Sequence, residues 1–142
     1  MKRTWVVVGM CLLAVGALAA DTKPVKNLDG NCMAMVPSTW SVDTLGGAQS
    51  PDKKVSIVVS SPKHGLTSLS QVKQLAPGIY PKDKVTRDSG TEFVMEGESL
   101  NGKPNVYRAV AAGDKVCIAE VQYQNGDAAA AKAIADSLKS SK

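Results

Sequence analysis

Glu96, Tyr107 and Glu120 lie in three successive apolar runs, residues 91–99, 104–112 and 115–124. Asn101-Gly102 and Gly113-Asp114 separate those runs. Such dipeptides tolerate positive φ and fit two-residue hairpins, which fix the pairing of their strands. This pairing predicts Glu96 opposite Tyr107 and Tyr107 opposite Glu120, two carboxylates flanking one phenol. Strands two apart are separated by about 9.5 Å, a spacing within the range of the carboxyl pair in inverting glycoside hydrolysis. Carboxylates in unlike environments can divide the acid and base roles. His64, the only histidine, sits in Ser61-Pro62-Lys63-His64-Gly65 and is a second candidate base. It has no evident nucleophile to activate, because no Gly-x-Ser-x-Gly is present. A solvated sheet face accounts for the glutamates without any chemistry, and an exposed loop does the same for His64. Trp40 is either an anchor for a partner or an indole packed over the core. The sequence contains no phosphate-cradling glycine loop, metal-ligand cluster or aromatic-basic stacking platform, so no cofactor, metal or nucleic acid is expected.

The same registers assign the sheet faces. One face carries Phe93, Met95, Val106, Val110, Cys117, Ala119, Val121 and Tyr123 and is the predicted core. Arg108 falls on that face and must reach an edge or a carboxylate, since a lone buried charge is too costly. The opposite face mixes Val94, Ala109, Ala111, Val116 and Ile118 with Glu92, Glu96, Glu120, Gln122 and Gln124. A helix is expected over one end of it, leaving the acidic end wet.

The elements that position these residues read as follows. Residues 20–30 are polar, carry Pro24 and Gly30, and predict a loose arm. Cys32 to Val36 is a short strand closed by Pro37, and residues 38–42 turn or extend again. Val55 to Ser60 is β-branched and half alternating, a strand. Ser68 is the expected N-cap of a helix with Leu69, Val72, Leu75 and Ala76 on one face, which Pro77-Gly78 should stop. Val85 to Arg87 begins a four-strand antiparallel meander that extends to residue 124. Asp127 is the predicted N-cap of a helix from Ala128 to about Ser140, with Ala130, Ala131, Ile134 and Leu138 facing inward.

The first residues, Met1-Lys2-Arg3, are basic, Trp5 to Ala20 is uncharged and apolar, and the stretch ends Ala17-Leu18-Ala19-Ala20. These are the three parts of a secretory signal, and the run is shorter than the roughly 20 residues of a spanning helix. Cleavage is expected after Ala19, with Ala20 the alternative. A lipidated Cys11 is disfavoured by Met10 and Val8 before it and by the apolar core that continues beyond it. Removing 19 of the 142 residues leaves one domain's worth of chain and lowers the formal net charge from +4 to +2. The remaining lysines are scattered, which does not favour nucleic acid or an anionic membrane.

Cys32 and Cys117 remain after cleavage. In an oxidising compartment an even, widely spaced pair reads as one disulfide. Closing a loop of about 86 residues stabilises by roughly 4 kcal/mol in the chain-entropy model. Zinc would need about four ligands, and a redox-active pair is normally Cys-x-x-Cys.

Val36-Pro37-Ser38-Thr39-Trp40 resembles the P-x-x-W segment of the PsbP/Mog-like superfamily. The Ser50-Pro51-Asp52 turn into the Val55–Ser60 strand and the terminal Ile134-Ala135-Asp136-Ser137-Leu138 helix are similar to that layout, over about residues 31–140. The resemblance implies an α/β/α sandwich used as a binding or assembly module, in a superfamily that includes an extrinsic photosystem II subunit and a Ran-binding import factor. It carries over no catalytic residue.

The expectation is therefore an α+β domain, with one antiparallel sheet, helices packed on it and one disulfide. The expected function is a monomeric, non-catalytic binding module of the cell envelope, in the periplasm or secreted. Its expected partner is an envelope protein or surface component. The alternatives are a small hydrolase using Glu96, Glu120 or His64, and a small-ligand carrier, which would need an apolar cavity. Intact-mass analysis of the exported product should find a chain beginning at Ala20 with both thiols oxidised; a retained leader or two free thiols would overturn the export reading.

Overall fold

The computed structural model describes residues 21–141. The predicted leader, its cleavage site and Cys11 lie outside the described residues. Ten strands and two helices are present among those that are described. The strands are β1 (Thr22–Lys26), β2 (Cys32–Pro37), β3 (Ser41–Val42), β4 (Gly47–Gln49), β5 (Val55–Ser60), β6 (Lys84–Asp88), β7 (Glu92–Glu98), β8 (Pro104–Ala112), β9 (Lys115–Tyr123) and β10 (Lys139–Ser140). The helices are α1 (Leu69–Ile79) and α2 (Ala128–Asp136).

The fold is α+β and rich in strand, but the expected single sheet is two. A seven-stranded sheet has the order β3-β4-β5-β9-β8-β7-β6, and a three-stranded sheet the order β1-β2-β10. All the pairings are antiparallel. The second sheet arises where loops were expected. Residues 20–30, read as a loose arm, contain β1, which pairs with β2 from Thr22 opposite Pro37 to Lys26 opposite Met33. In β1 only Val25 is buried, too weak an alternation to betray a strand. Its backbone is satisfied by β2, whose Cys32, Ala34 and Val36 alternate inward with the two-residue period of a half-buried strand.

The chain's C-terminal end differs from expectation for a related reason. The second helix stops at Asp136, not near Ser140. Helix ends leave carbonyls without partners, and Arg108 supplies donors to them. Its Nη1 reaches the carbonyls of Ala135 at 3.1 Å, Asp136 at 3.3 Å and Leu138 at 3.0 Å, while Nε binds Glu92 Oε2 at 2.9 Å. A cation is also favourable at a helix C-terminus. Ser137 Oγ donates to the Ile134 carbonyl at 2.6 Å and accepts the Met35 amide at 2.8 Å. With the helix end satisfied in this way, residues 139–140 extend along β2 as β10. Arg108, the charged misfit on an apolar face, thus finds both the edge and the carboxylate it needed.

The first helix has the predicted cap. Ser68 Oγ accepts from the Gln71 amide, and the Gln71 side chain accepts from the Ser68 amide, a full capping box. It then runs through Pro77 rather than stopping there. Proline removes one amide from the helical ladder; the Tyr80 amide closes the last turn on the Ala76 carbonyl at 2.9 Å. Tyr80 packs against Tyr107, with ring centroids 5.3 Å apart.

The Gly113-Asp114 hairpin has the expected register, with Ala112 opposite Lys115 and Tyr107 opposite Glu120. The Asn101-Gly102 hairpin does not. Glu98 pairs with Pro104, and Ser99 and Lys103 close the loop through the Ser99 amide at 2.8 Å. Leu100, Asn101 and Gly102 form a three-residue loop with Gly102 at φ +82°, the arrangement in which a left-handed residue follows a tight turn. One extra loop residue shifts the pairing by one and turns every β7 side chain to the other face.

Each face of the seven-stranded sheet has its own core. Val94, Val106, Val110, Cys117, Ala119 and Val121 pack with β5, β2 and α2. Phe93, Met95, Tyr107, Ala109, Val116 and Ile118 pack with Val72 and Ala76 of α1. Phe93 and Met95, predicted beside Cys117, therefore lie in the opposite layer. The Cys32–Cys117 disulfide is present, fully buried, with Cα atoms 5.6 Å apart. It joins β2 of the small sheet to β9 of the large one.

Arg108→Met keeps the apolar stem and removes the guanidinium bonds to three carbonyls and to Glu92, which keeps only Arg87 at 3.5 Å. It should lower unfolding stability by about 2–4 kcal/mol, measured by urea titration, with α2 amides losing hydrogen-exchange protection first. A loss below about 0.5 kcal/mol, the range of an ordinary surface change, would show that the clamp is not structural.

Candidate functional site

The register shift dismantles the predicted carboxylate pair. Glu96 lies opposite Val106 and faces α2, where Lys132 Nζ sits 3.0 Å from its Oε1. That hydrogen bond is the main reason the Lys132 ammonium titrates above its ordinary value. Glu120 lies on the other side of the sheet, opposite Tyr107 as predicted, and accepts a hydrogen bond from the Tyr80 hydroxyl. The sheet itself separates the two glutamates, so they cannot flank one substrate bond. His64 is exposed and makes no hydrogen bond or ion pair with any described residue.

Around Tyr107 the structure assembles a polar cluster. Asn105 and Tyr107 are each 1% exposed. Asn105 Nδ2 donates to Asp83 Oδ2 at 3.2 Å. Asp83 Oδ1, Asn105 Oδ1 and the Tyr107 hydroxyl have no partner among the described residues. Burial, above all, raises the phenols of Tyr80 and Tyr107 beyond their ordinary range, and the neighbouring Glu120 adds to it. Burial also raises the Asp83 carboxyl, against the lowering pull of its bond to Asn105. Burial thus holds the Tyr107 phenol and the Asp83 carboxyl toward their neutral forms. Gly97 makes room for the cluster. A Cβ there would stand 2.4 Å from the Lys82 carbonyl and 2.8 Å from Asp83. A glycine inside a strand is a sign of close backbone approach, the one trace of this cluster in the sequence.

Trp40 is 7% exposed and lies on a groove of about 510 Å³. Its position follows from the turn after β2, in which the Ser38 amide bonds the Asp21 carbonyl at 2.8 Å and the Trp40 amide the Pro37 carbonyl at 3.0 Å. Met35 and Pro37 come from β2, Val55 from β5, and Ala130, Ala133 and Ile134 from α2. The groove thus runs between the small sheet and α2, over the large sheet. Its wall is mainly apolar, with Ser50, Asp52 and Asp127 among the polar groups. The turns that carry the two aspartates are tied together by the Gln124 amide on the Lys54 carbonyl at 3.1 Å. Asp52 accepts from Ser50 Oγ at 2.6 Å and from the Lys54 amide at 3.1 Å, and the Ser50 bond is the first cause of its lowered pKa. Asp127 precedes α2 as predicted, but its side chain does not cap the helix. Of the groove, sequence reasoning singled out Trp40 alone. Ala130, Ala133 and Ile134 share the helical spacing of α2, but no spacing links them to Met35, Pro37 or Val55.

No His, Cys, Asp or Glu group suited to a metal ion occurs among the described residues, and none of their helices is long and apolar enough to cross a membrane. No protein-family model matches the chain, and no curated protein matches it.

Asp83→Asn tests the buried cluster. A raised folded-state pKa means that ionised Asp83 weakens the native state at neutral pH, and that this cost fades as pH falls through the folded value. The variant should therefore be more stable than the parent at pH 7, with the difference shrinking in acid, read from thermal midpoints across pH. Equal pH profiles for the two proteins would show that burial does not control this carboxyl.

Proposed function

We propose that this chain is an exported, non-catalytic binding module that works as a carrier of a small ligand, with the Trp40 groove as its site. The groove carries the reading. Its volume of about 510 Å³ lies within the roughly 300–1,000 Å³ of small-molecule sites, which are concave, mostly apolar and set with a few polar groups. A protein interface would instead need about 800 Å² per partner. The wall of the groove is contributed by β2, β5 and α2, elements held by a buried disulfide and the Arg108 clamp, so it is preformed rather than assembled on binding. Separation of Glu96 from Glu120 and the isolation of His64 support a non-catalytic role over hydrolysis.

Export to the periplasm is part of the proposal. Its support is the leader-like N-terminal sequence together with a disulfide of the kind that persists in oxidising compartments. An envelope protein or surface component would give up or receive the ligand. Membership in the PsbP/Mog-like superfamily is also proposed. It is supported by the order strand, Pro37-Ser38-Thr39-Trp40, strand, helix, antiparallel meander and helix.

The exported protein should bind the neutral apolar dye N-phenyl-1-naphthylamine with a rise in dye emission. Ala133→Phe, which fills the groove from a solvent-facing position of α2, should weaken that binding at least tenfold while the thermal midpoint stays near the parent's. No binding by the parent protein, or equal binding by the folded variant, overturns the site assignment.

A further inference from the structure

The charge around the groove specifies the ligand further. Asp52 and Asp127 both line it, on turns joined by the Gln124–Lys54 backbone bond. Neither carboxylate takes part in an ion pair among the described residues. Lys54 follows Asp52 closely in the chain and its charge acts on it through space, but its Nζ does not come within the 4.0 Å of an ion pair. The N-terminus of α2 contributes roughly half a positive charge, which two carboxylates outweigh. Asp52 remains ionised at neutral pH, because Ser50 and the Lys54 amide stabilise its charged form. Asp127 leaves the helix amides uncapped by its side chain, so its oxygens are free to meet a ligand. Trp40 lines the same groove, and indole is the best aromatic partner for a cation.

We propose that the ligand is a small organic cation. Its apolar body lies along Met35, Val55 and Ile134, and its ammonium headgroup is held by Asp52 and Asp127 with Trp40 nearby. This rests on the groove being the binding site. An anionic or purely apolar ligand would leave two carboxylates at the groove without a counter-charge. A cation replaces their water with a fixed partner.

The test compares decyltrimethylammonium with decyl sulfate, two single-chain amphiphiles of equal chain length and opposite charge. Both are titrated below their micelle concentrations against the exported protein and followed by displacement of N-phenyl-1-naphthylamine. The cation should bind at least tenfold more tightly than the anion, and the preference should shrink with added salt. In the double variant Asp52→Asn, Asp127→Asn, which keeps acceptor oxygens at both positions, the cation-to-anion ratio should fall to near one. The thermal midpoint checks that the variant is folded. Equal binding of the two amphiphiles by the parent protein, with the dye still bound, sinks the cation proposal and leaves the groove standing. So does a ratio unchanged in the folded variant. Failure of the parent to bind the dye at all sinks the groove reading itself.

Discussion

The bond between Cys32 and Cys117 joins the middle strand of a three-stranded sheet to the fourth strand of a seven-stranded one. β2 has hydrogen-bond partners on both sides, but those partners are only β1 and the two residues of β10. So small a sheet would be marginal by itself. Its inward residues Cys32, Ala34 and Val36 are buried against the larger sheet and α2. A buried disulfide at the centre of that contact ties the two layers and restricts the unfolded chain over a long loop. The Trp40 groove depends on this union, because its walls are drawn from both sheets and from α2.

A second constraint acts at the other end of α2. Arg108 stands on the disulfide side of the sheet, between Val94 and Ala119, where an unpaired charge would be untenable. Its guanidinium instead reaches Glu92 and the last carbonyls of α2. Arg87 extends the network by binding Glu92 and Asp136. One planar group with several fixed donors suits this task better than an ammonium. It ends the helix, frees the following residues to pair with β2, and holds the helix over the sheet.

The two faces of the large sheet have different characters. The α1 face buries Tyr107, Asn105 and part of Asp83 in a tight polar cluster in which burial raises the Asp83 carboxyl and the Tyr107 phenol. The α2 face is apolar at its centre and opens into the groove. Chemistry would need titratable groups that converge on accessible space. Here the titratable groups of the α1 face are buried or paired, while His64 stands alone on its loop and Asp52 and Asp127 line the mainly apolar groove.

Much of the scaffold was legible without coordinates. The strands at 32–37, 55–60, 92–98, 104–112 and 115–123 followed from β-branched alternation and turn residues, the α1 cap from Ser68, and the disulfide from the parity and spacing of two cysteines. These are local or compositional properties, so a linear chain records them. The facing of Glu96 was decided by whether the Asn101-Gly102 loop holds two residues or three, a difference of one residue that the dipeptide permits either way. β1 and β10 lack a pattern of their own, and their hydrogen bonds exist only because β2 presents two free edges. The early end of α2 depends on Arg108, a residue distant in the chain, and α1 continues through Pro77 to a Tyr80 that packs on the distant Tyr107. The groove combines Met35, Val55, Asp127 and Ile134 across nearly a hundred positions. No periodicity records such a meeting, because it is set by how two sheets and a helix pack in space.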